Sequence, residues 1–140
     1  LSERILQANW GRFVPGDVLN LGGTSRYFIL EEGCWDEKLQ QRLDGFDIHI
    51  SGPLAGKHAR EEKYISTSMA AGIEDEVLAK FQPLIDGLTI FGLKAARRPL
   101  RFVPTHLEWH WPVPQELKLQ FTLPRGAYAT SLLRELCTTN

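Results

Sequence analysis

The stretch Leu117-Lys118-Leu119-Gln120-Phe121-Thr122-Leu123 is apolar at every odd position, and the residues after it abandon that rhythm. A period of two marks a strand with one face buried. Pro124 has no N–H to give a ladder, and Gly126 permits a sharp turn. Beyond them Ala129, Leu132, Leu133 and Leu136 fall at i, i+3, i+4 and i+7, the spacing of one helix face. The pattern predicts a strand, a tight turn and a helix start, with Tyr128 in the first turn. Free N–H groups and the positive end of the dipole at such a start favour phosphate or another anion. Arg125 strengthens that field.

Upstream, Pro15-Gly16-Asp17 is turn chemistry leading to a short apolar strand, Val18 to Leu21. Gly22-Gly23 predicts a hairpin, with Tyr27 to Leu30 returning. Asp36 is a candidate N-cap for a helix over Glu37 to Leu43, which Asp44-Gly45 ends. Phe46, Ile48 and Ile50 alternate with polar neighbours, so a strand is expected there, stopped by Gly52-Pro53. The charged run His58 to Lys63 reads as a solvated, mobile face. Ser66 or Thr67 is a candidate cap for the helical stretch after it. Helices are expected from about Gly72 to Phe81 and from Pro83 to Phe91, split by Pro83 and closed by Gly92. From Arg98 the texture turns to strands: Leu100 and Phe102 alternate, then Leu107, Trp109 and Trp111, and Pro112-Val113-Pro114 is a turn back into Leu117 to Leu123. The fold class is therefore α+β, with a boundary near Lys94 to Arg98.

The chain has 140 residues, enough for one domain or two incomplete ones, and 43% apolar content suits a globular protein. A net charge of −1 excludes the global basic field of a generic nucleic-acid binder, so any phosphate site must be local. Two cysteines, Cys34 and Cys137, far apart, argue against a disulfide framework or a paired-cysteine metal site and suit a reducing cytosol. No apolar run is long enough to cross a bilayer, and no signal-peptide pattern opens the chain. Leu1 to Ala8 reads like the end of a helix already under way, so the N-terminus is expected to be a cut.

The segment Leu123-Pro124-Arg125-Gly126-Ala127-Tyr128-Ala129-Thr130-Ser131-Leu132-Leu133-Arg134-Glu135-Leu136 resembles the C-terminal signature of the TruD family of tRNA pseudouridine synthases. Three further segments fit it in order: Asn9-Trp10 with Pro15-Gly16-Asp17-Val18-Leu19, Leu43 to Lys57, and Gly92 to Leu100. The resemblance spans essentially the whole chain but only the later part of such an enzyme. It implies that Leu1 to Pro99 is most of an insertion domain and that Leu100 to Asn140 is the returning end of the catalytic domain. It implies isomerisation of a tRNA uridine, uridine 13, to pseudouridine in the cytoplasm, with tRNA as partner and neither metal nor organic cofactor. The family's essential aspartate belongs to an N-terminal half. No Asp here stands in a matching context, so the chain alone is expected to be inactive, its missing half being the other implied partner. The rival from another class is a stand-alone RNA- or protein-binding module.

Each candidate residue has a plain reading beside the functional one. Tyr128 is by spacing as readily a corner aromatic in a core. The resemblance implies that the aromatic at this position, commonly Phe in the family, lines the pocket of the target uridine, where stacking is worth about 1–3 kcal/mol. Arg125 and Gly126 complete that substrate-side set. Lys94, Arg97, Arg98 and Arg101 form the densest positive cluster, either a solvated face or a row of tRNA-phosphate contacts at the domain junction. Arg12, Arg26 and Lys57 are weaker candidates of that kind. Ser51-Gly52-Pro53-Leu54-Ala55-Gly56-Lys57-His58 fails as a phosphate loop on spacing, on Pro53 and on His58, so no nucleotide cofactor is expected. His106, Glu108 and His110 would share one strand face but lack the zinc-protease spacing. His49 reads as hydrogen-bonded within the fold. Glu74, Asp75 and Glu76 read as dipole partners at a helix start, and Trp10, Trp109 and Trp111 as packing.

Overall fold

Alternation places Leu19, Leu21, Phe28, Ile48 and Ile50 on one side of a four-stranded antiparallel sheet. The strands are β1 (Val18–Leu21), β2 (Tyr27–Ile29), β3 (Ile48–Leu54) and β4 (Ala96–Pro99), in the order β2-β1-β3-β4. The structure is a computed structural model and describes residues 1–58 and 64–136. The charged run predicted beyond His58 and the second cysteine, Cys137, lie outside them. The fold is α+β. The chain divides into two compact units, Leu1–Arg101 and Phe102–Asn140.

In the first unit the apolar sheet face meets helix α2 (Glu37–Asp44), capped by the Asp36 side chain accepting from the Leu39 N–H at 2.8 Å. Leu19, Leu43, Ile48 and Ile50 are at most 2% exposed. Burying each stabilises the fold by about 1.5–3 kcal/mol. Phe13 and Trp35 close the rim, stacked with ring centroids 4.1 Å apart.

The other face of the same strands is mixed: Val18 is buried there, and so are the polar residues Asn20, His49 and Ser51. Helices α1 (Ser2–Leu6) and α3 (Ser68–Ala79) supply partners for buried polar groups. Arg4 of α1 donates to Asp17, whose other carboxylate oxygen accepts from the Val14 N–H at 2.9 Å. Gly16, at φ 89, lets the Pro15-Gly16-Asp17 turn press on the start of α3. The Thr67 N–H donates to Gly16 O at 3.1 Å and the Ala70 N–H to Pro15 O at 3.1 Å. A Cβ at Gly16 would overlap the Thr67 carbonyl. This docking begins α3 earlier than the expected Gly72. Glu74, Asp75 and Glu76 therefore sit inside the helix, not at its dipole end. Helix α4 (Gln82–Ile90) follows, with Pro83 in its first turn as predicted.

Pro53 does not end β3. The first half of β3 pairs with β1 (Leu19 with Ile50, Leu21 with Ile48) and the second half with β4 (Gly52 with Arg98, Leu54 with Ala96). The Leu100 N–H donates to Ile50 O at 2.9 Å. Antiparallel alternation then makes Pro53 and Arg97 a pair that exchanges no bond. Proline's missing N–H falls on the side that β1 has already left, so the ladder loses nothing. Leu100, expected in a strand, instead turns in to pack on the core.

The second unit holds a hairpin, β5 (Thr105–Val113) with β6 (Glu116–Thr122), and helix α5 (Ala129–Leu136). Trp109 pairs with Leu119 and His110 with Lys118. The register slips between Thr105 and Glu108, where His106 takes φ 52, an extra residue of the bulge kind. That takes His106 out of the alternation shared by Glu108 and His110, so the three do not line one face.

Candidate nucleic-acid interface

In the second unit the predicted corner forms as the residues dictate. The Ala127 N–H donates to Pro124 O at 3.1 Å, and Gly126 takes φ 87, as the third position of a type II turn demands. Pro124 stands outside the ladder, and α5 begins at Ala129, with the Ser131 N–H donating to Tyr128 O at 3.0 Å. Tyr128 therefore sits at the helix mouth. Its side chain is not the core aromatic of the plain reading within this unit: the residue is 67% exposed. Arg125 and Gly126 lie beside it on the same turn, both exposed.

The four cations of the first unit look like one cluster in sequence and are divided in space. Arg97 points into the polar side of the sheet, its side chain 10% exposed. It forks onto Glu74 of α3 at 2.5 and 3.1 Å, and its Nε donates to Ser51 Oγ at 3.0 Å. Ser51 Oγ in turn donates to Val18 O at 2.6 Å, and Ser66 Oγ donates to Glu74 at 2.5 Å. The Tyr27 hydroxyl donates to Arg97 O at 2.7 Å. Burial pushes the Tyr27 hydroxyl above the ordinary phenol range. Arg101 is spent as well. Its Nη2 donates to Leu43 O and, at 3.4 Å, to Ile48 O. Its Nε donates to His49 Nδ1 at 3.3 Å, and its guanidinium lies 4.6 Å over the Phe46 ring. Burial lowers the Arg101 pKa from its usual value.

Lys94 and Arg98 remain exposed. Lys94 also gains a neighbour that no spacing announced. Lys57 and Lys94 form an isolated parallel bridge: the Lys57 N–H donates to Leu93 O at 2.6 Å and the Ala95 N–H to Lys57 O at 3.0 Å. Gly56 makes the approach possible, since a Cβ there would stand 2.6 Å from Leu93 O. The bridge brings two exposed lysines to neighbouring backbone positions, which concentrates positive charge at this point of the surface. Sequence reasoning reads Glu74 as a dipole partner and Ser51 and Gly56 as parts of a failed phosphate loop, and so misses what these three residues do. Their partners lie dozens of positions away, and no local pattern marks them.

A cleft of about 380 Å³ lies between Gly56, His58, α3 and α4, edged by Asp75 and Asp86. Its acidic rim is the wrong sign for a phosphate. Among the described residues no group of three or more His, Cys, Asp or Glu is placed to hold a metal ion. Local roles account for several aspartates. Asp17 pairs with Arg4, Asp36 caps α2, Asp44 accepts from Gln40, Asp47 from Arg42 and Asp86 from Gln82.

The pattern defining the family tRNA pseudouridine synthase D (TruD) matches residues 1–136. The chain belongs to the TruD family. A tRNA pseudouridine synthase D of Nitrosococcus oceani is 44% identical over 140 residues, covering 99% of this chain. One from Histophilus somni is 36% identical over 140 residues and covers all of it. The chain spans only 37% and 39% of those TruD relatives. A crystal structure of a TruD protein from Methanosarcina mazei matches 96% of the chain and 33% of its own, with a TM-score of 0.67 at 21% identity, and it shares the fold.

Proposed function

We propose that this chain is the later part of a tRNA pseudouridine synthase that isomerises uridine 13 of tRNA in the cytoplasm, with Tyr128 on the wall of the uridine pocket. The observation that carries the reading is the ring itself, open to solvent at the mouth of α5. An exposed aromatic next to free helix N–H groups and Arg125 suits an extruded base with its phosphate. The TruD membership and the names of the relatives support the reaction class. The first unit is the insertion domain and the second the returning end of the catalytic domain. Support for the second assignment comes from its strands: Trp109, Trp111 and Val113 are 65, 59 and 52% exposed. A two-stranded ribbon with that much apolar side chain exposed needs a further layer to stand on. The nucleophilic aspartate belongs to the part of the protein N-terminal to this chain. Lys94, Arg98 and Lys57 face the tRNA phosphates, while Arg97 and Arg101 hold the frame behind them.

The test uses the full-length protein. Tyr128→Ala is expected to lose most pseudouridine formation on tRNA while thermal unfolding stays unchanged, and Tyr128→Phe is expected to retain turnover. Wild-type turnover in the alanine variant removes Tyr128 from the pocket.

A further inference from the structure

The first unit ends at Arg101. That residue binds more of its surroundings than a linker requires. Its guanidinium joins the last turn of α2, through Leu43 O, to the opening of β3, through Ile48 O and His49 Nδ1. Phe46, under the guanidinium, sits in the left-handed region at φ 61, an arrangement that costs about 1–2 kcal/mol for a residue with a Cβ. The surrounding contacts hold it there.

The bond to His49 has a direction. An arginine Nε–H can only donate, so His49 Nδ1 must be the unprotonated nitrogen of a neutral ring whose hydrogen is on Nε2. An imidazolium would set N–H against N–H and a second positive charge against the guanidinium. We propose that Arg101 and His49 form a proton-gated latch, closed while His49 is neutral, that holds the segment by which the chain leaves the first unit.

The charged groups around the pair are few. Asp47, just before β3, is drawn to Arg42 at 2.6 Å, and both are substantially exposed. Asp44, at the end of α2, favours the charged form of Arg101. Across the ladder from His49 stands Asn20, which is neutral and donates to Thr24 O and Arg26 O. No carboxylate is hydrogen-bonded to His49 among the described residues. Burial first, then Arg101, lowers the His49 pKa, with Asp47 opposing weakly. A lowered histidine pKa favours the neutral ring in the folded state. The contribution is therefore complete above the ordinary value of about 6.5 and is lost as pH falls below it toward the folded value.

The latch stands on the first unit alone and does not depend on the activity of the whole protein. Amide exchange in the full-length protein, corrected for the intrinsic pH dependence, tests it on peptides spanning Leu43 to Ile48 and Leu100 to Val103. Exchange is expected to accelerate several-fold as pH drops from about 7.5 to about 5. In His49→Gln the pH response is expected to vanish. Arg101→Lys, which keeps the charge but not the fork, is expected to exchange fast at every pH. Carbon-13 histidine spectra should show His49 titrating at higher pH in Arg101→Gln than in the wild type. A flat exchange profile in the wild type, an unchanged response in His49→Gln, or a His49 titration indifferent to Arg101 overturns the latch.

Discussion

The two units differ in where their apolar residues end up. In the first, an alternating strand and one helix enclose Leu19, Leu43, Ile48 and Ile50 almost completely. In the second, the same alternation over β5 leaves every residue of the strand exposed, tryptophans included. Both patterns are equally regular in sequence. The difference is the layer that covers them: α2 is present in this chain for one sheet, and no equivalent element is present for the other among the described residues. Alternation states that a face will be buried, not by what.

The contrast makes the first unit the place where single changes are costly. Asp17→Ala strips the buried Arg4 guanidinium of its counter-ion and leaves the Val14 N–H without its acceptor. It is expected to remove about 3–5 kcal/mol in urea unfolding. A loss below about 1 kcal/mol would mean that water reaches the pair.

The glycines offer a closer comparison, since Gly16 and Gly126 share a positive φ, 89 and 87. Only Gly16 has a neighbour in the way: nothing lies within 4 Å of a Cβ at Gly126. Gly16→Ala combines backbone strain with displacement of the Thr67 backbone and should exceed about 3 kcal/mol. Gly126→Ala is expected to cost about 1 kcal/mol, from backbone strain alone. Equal effects in calorimetry would show that the pinch against α3 relaxes freely.

The smallest effect is expected where the second unit is open. Trp109→Ser in this chain should change unfolding by no more than about 0.5 kcal/mol. In the full-length protein, where the proposal covers that strand, it should cost about 3–5 kcal/mol. A large loss already in the short chain would mean that this face is enclosed without the rest.

Sequence reading succeeds where a signal is local. The Asp36 cap, the Gly22-Gly23 hairpin, the break at Pro83 and the corner at Gly126 depend on residues within a few positions of each other. Reading fails where the deciding partner is remote. Pro53 reads as a stop to β3, and only the handover of partners from β1 to β4 explains why it is not one. The row Lys94, Arg97, Arg98 and Arg101 carries no mark that two of its members turn inward. Glu74, 23 positions from Arg97, and Leu43, 58 from Arg101, decide that. The bulge at His106 is equally hidden, because it comes from pairing with β6 and not from the residues themselves.

The change of partners along β3 has a mechanical consequence. Tension arriving through Arg101 meets that residue's own bonds to Leu43, Ile48 and His49 first, then the Leu100–Ile50 bond, then the rungs at Gly52 and Leu54 in turn. β4 would come away like a strip of tape, one rung at a time. β1 grips a separate length of β3, so the rest of the sheet would outlast the loss of its edge.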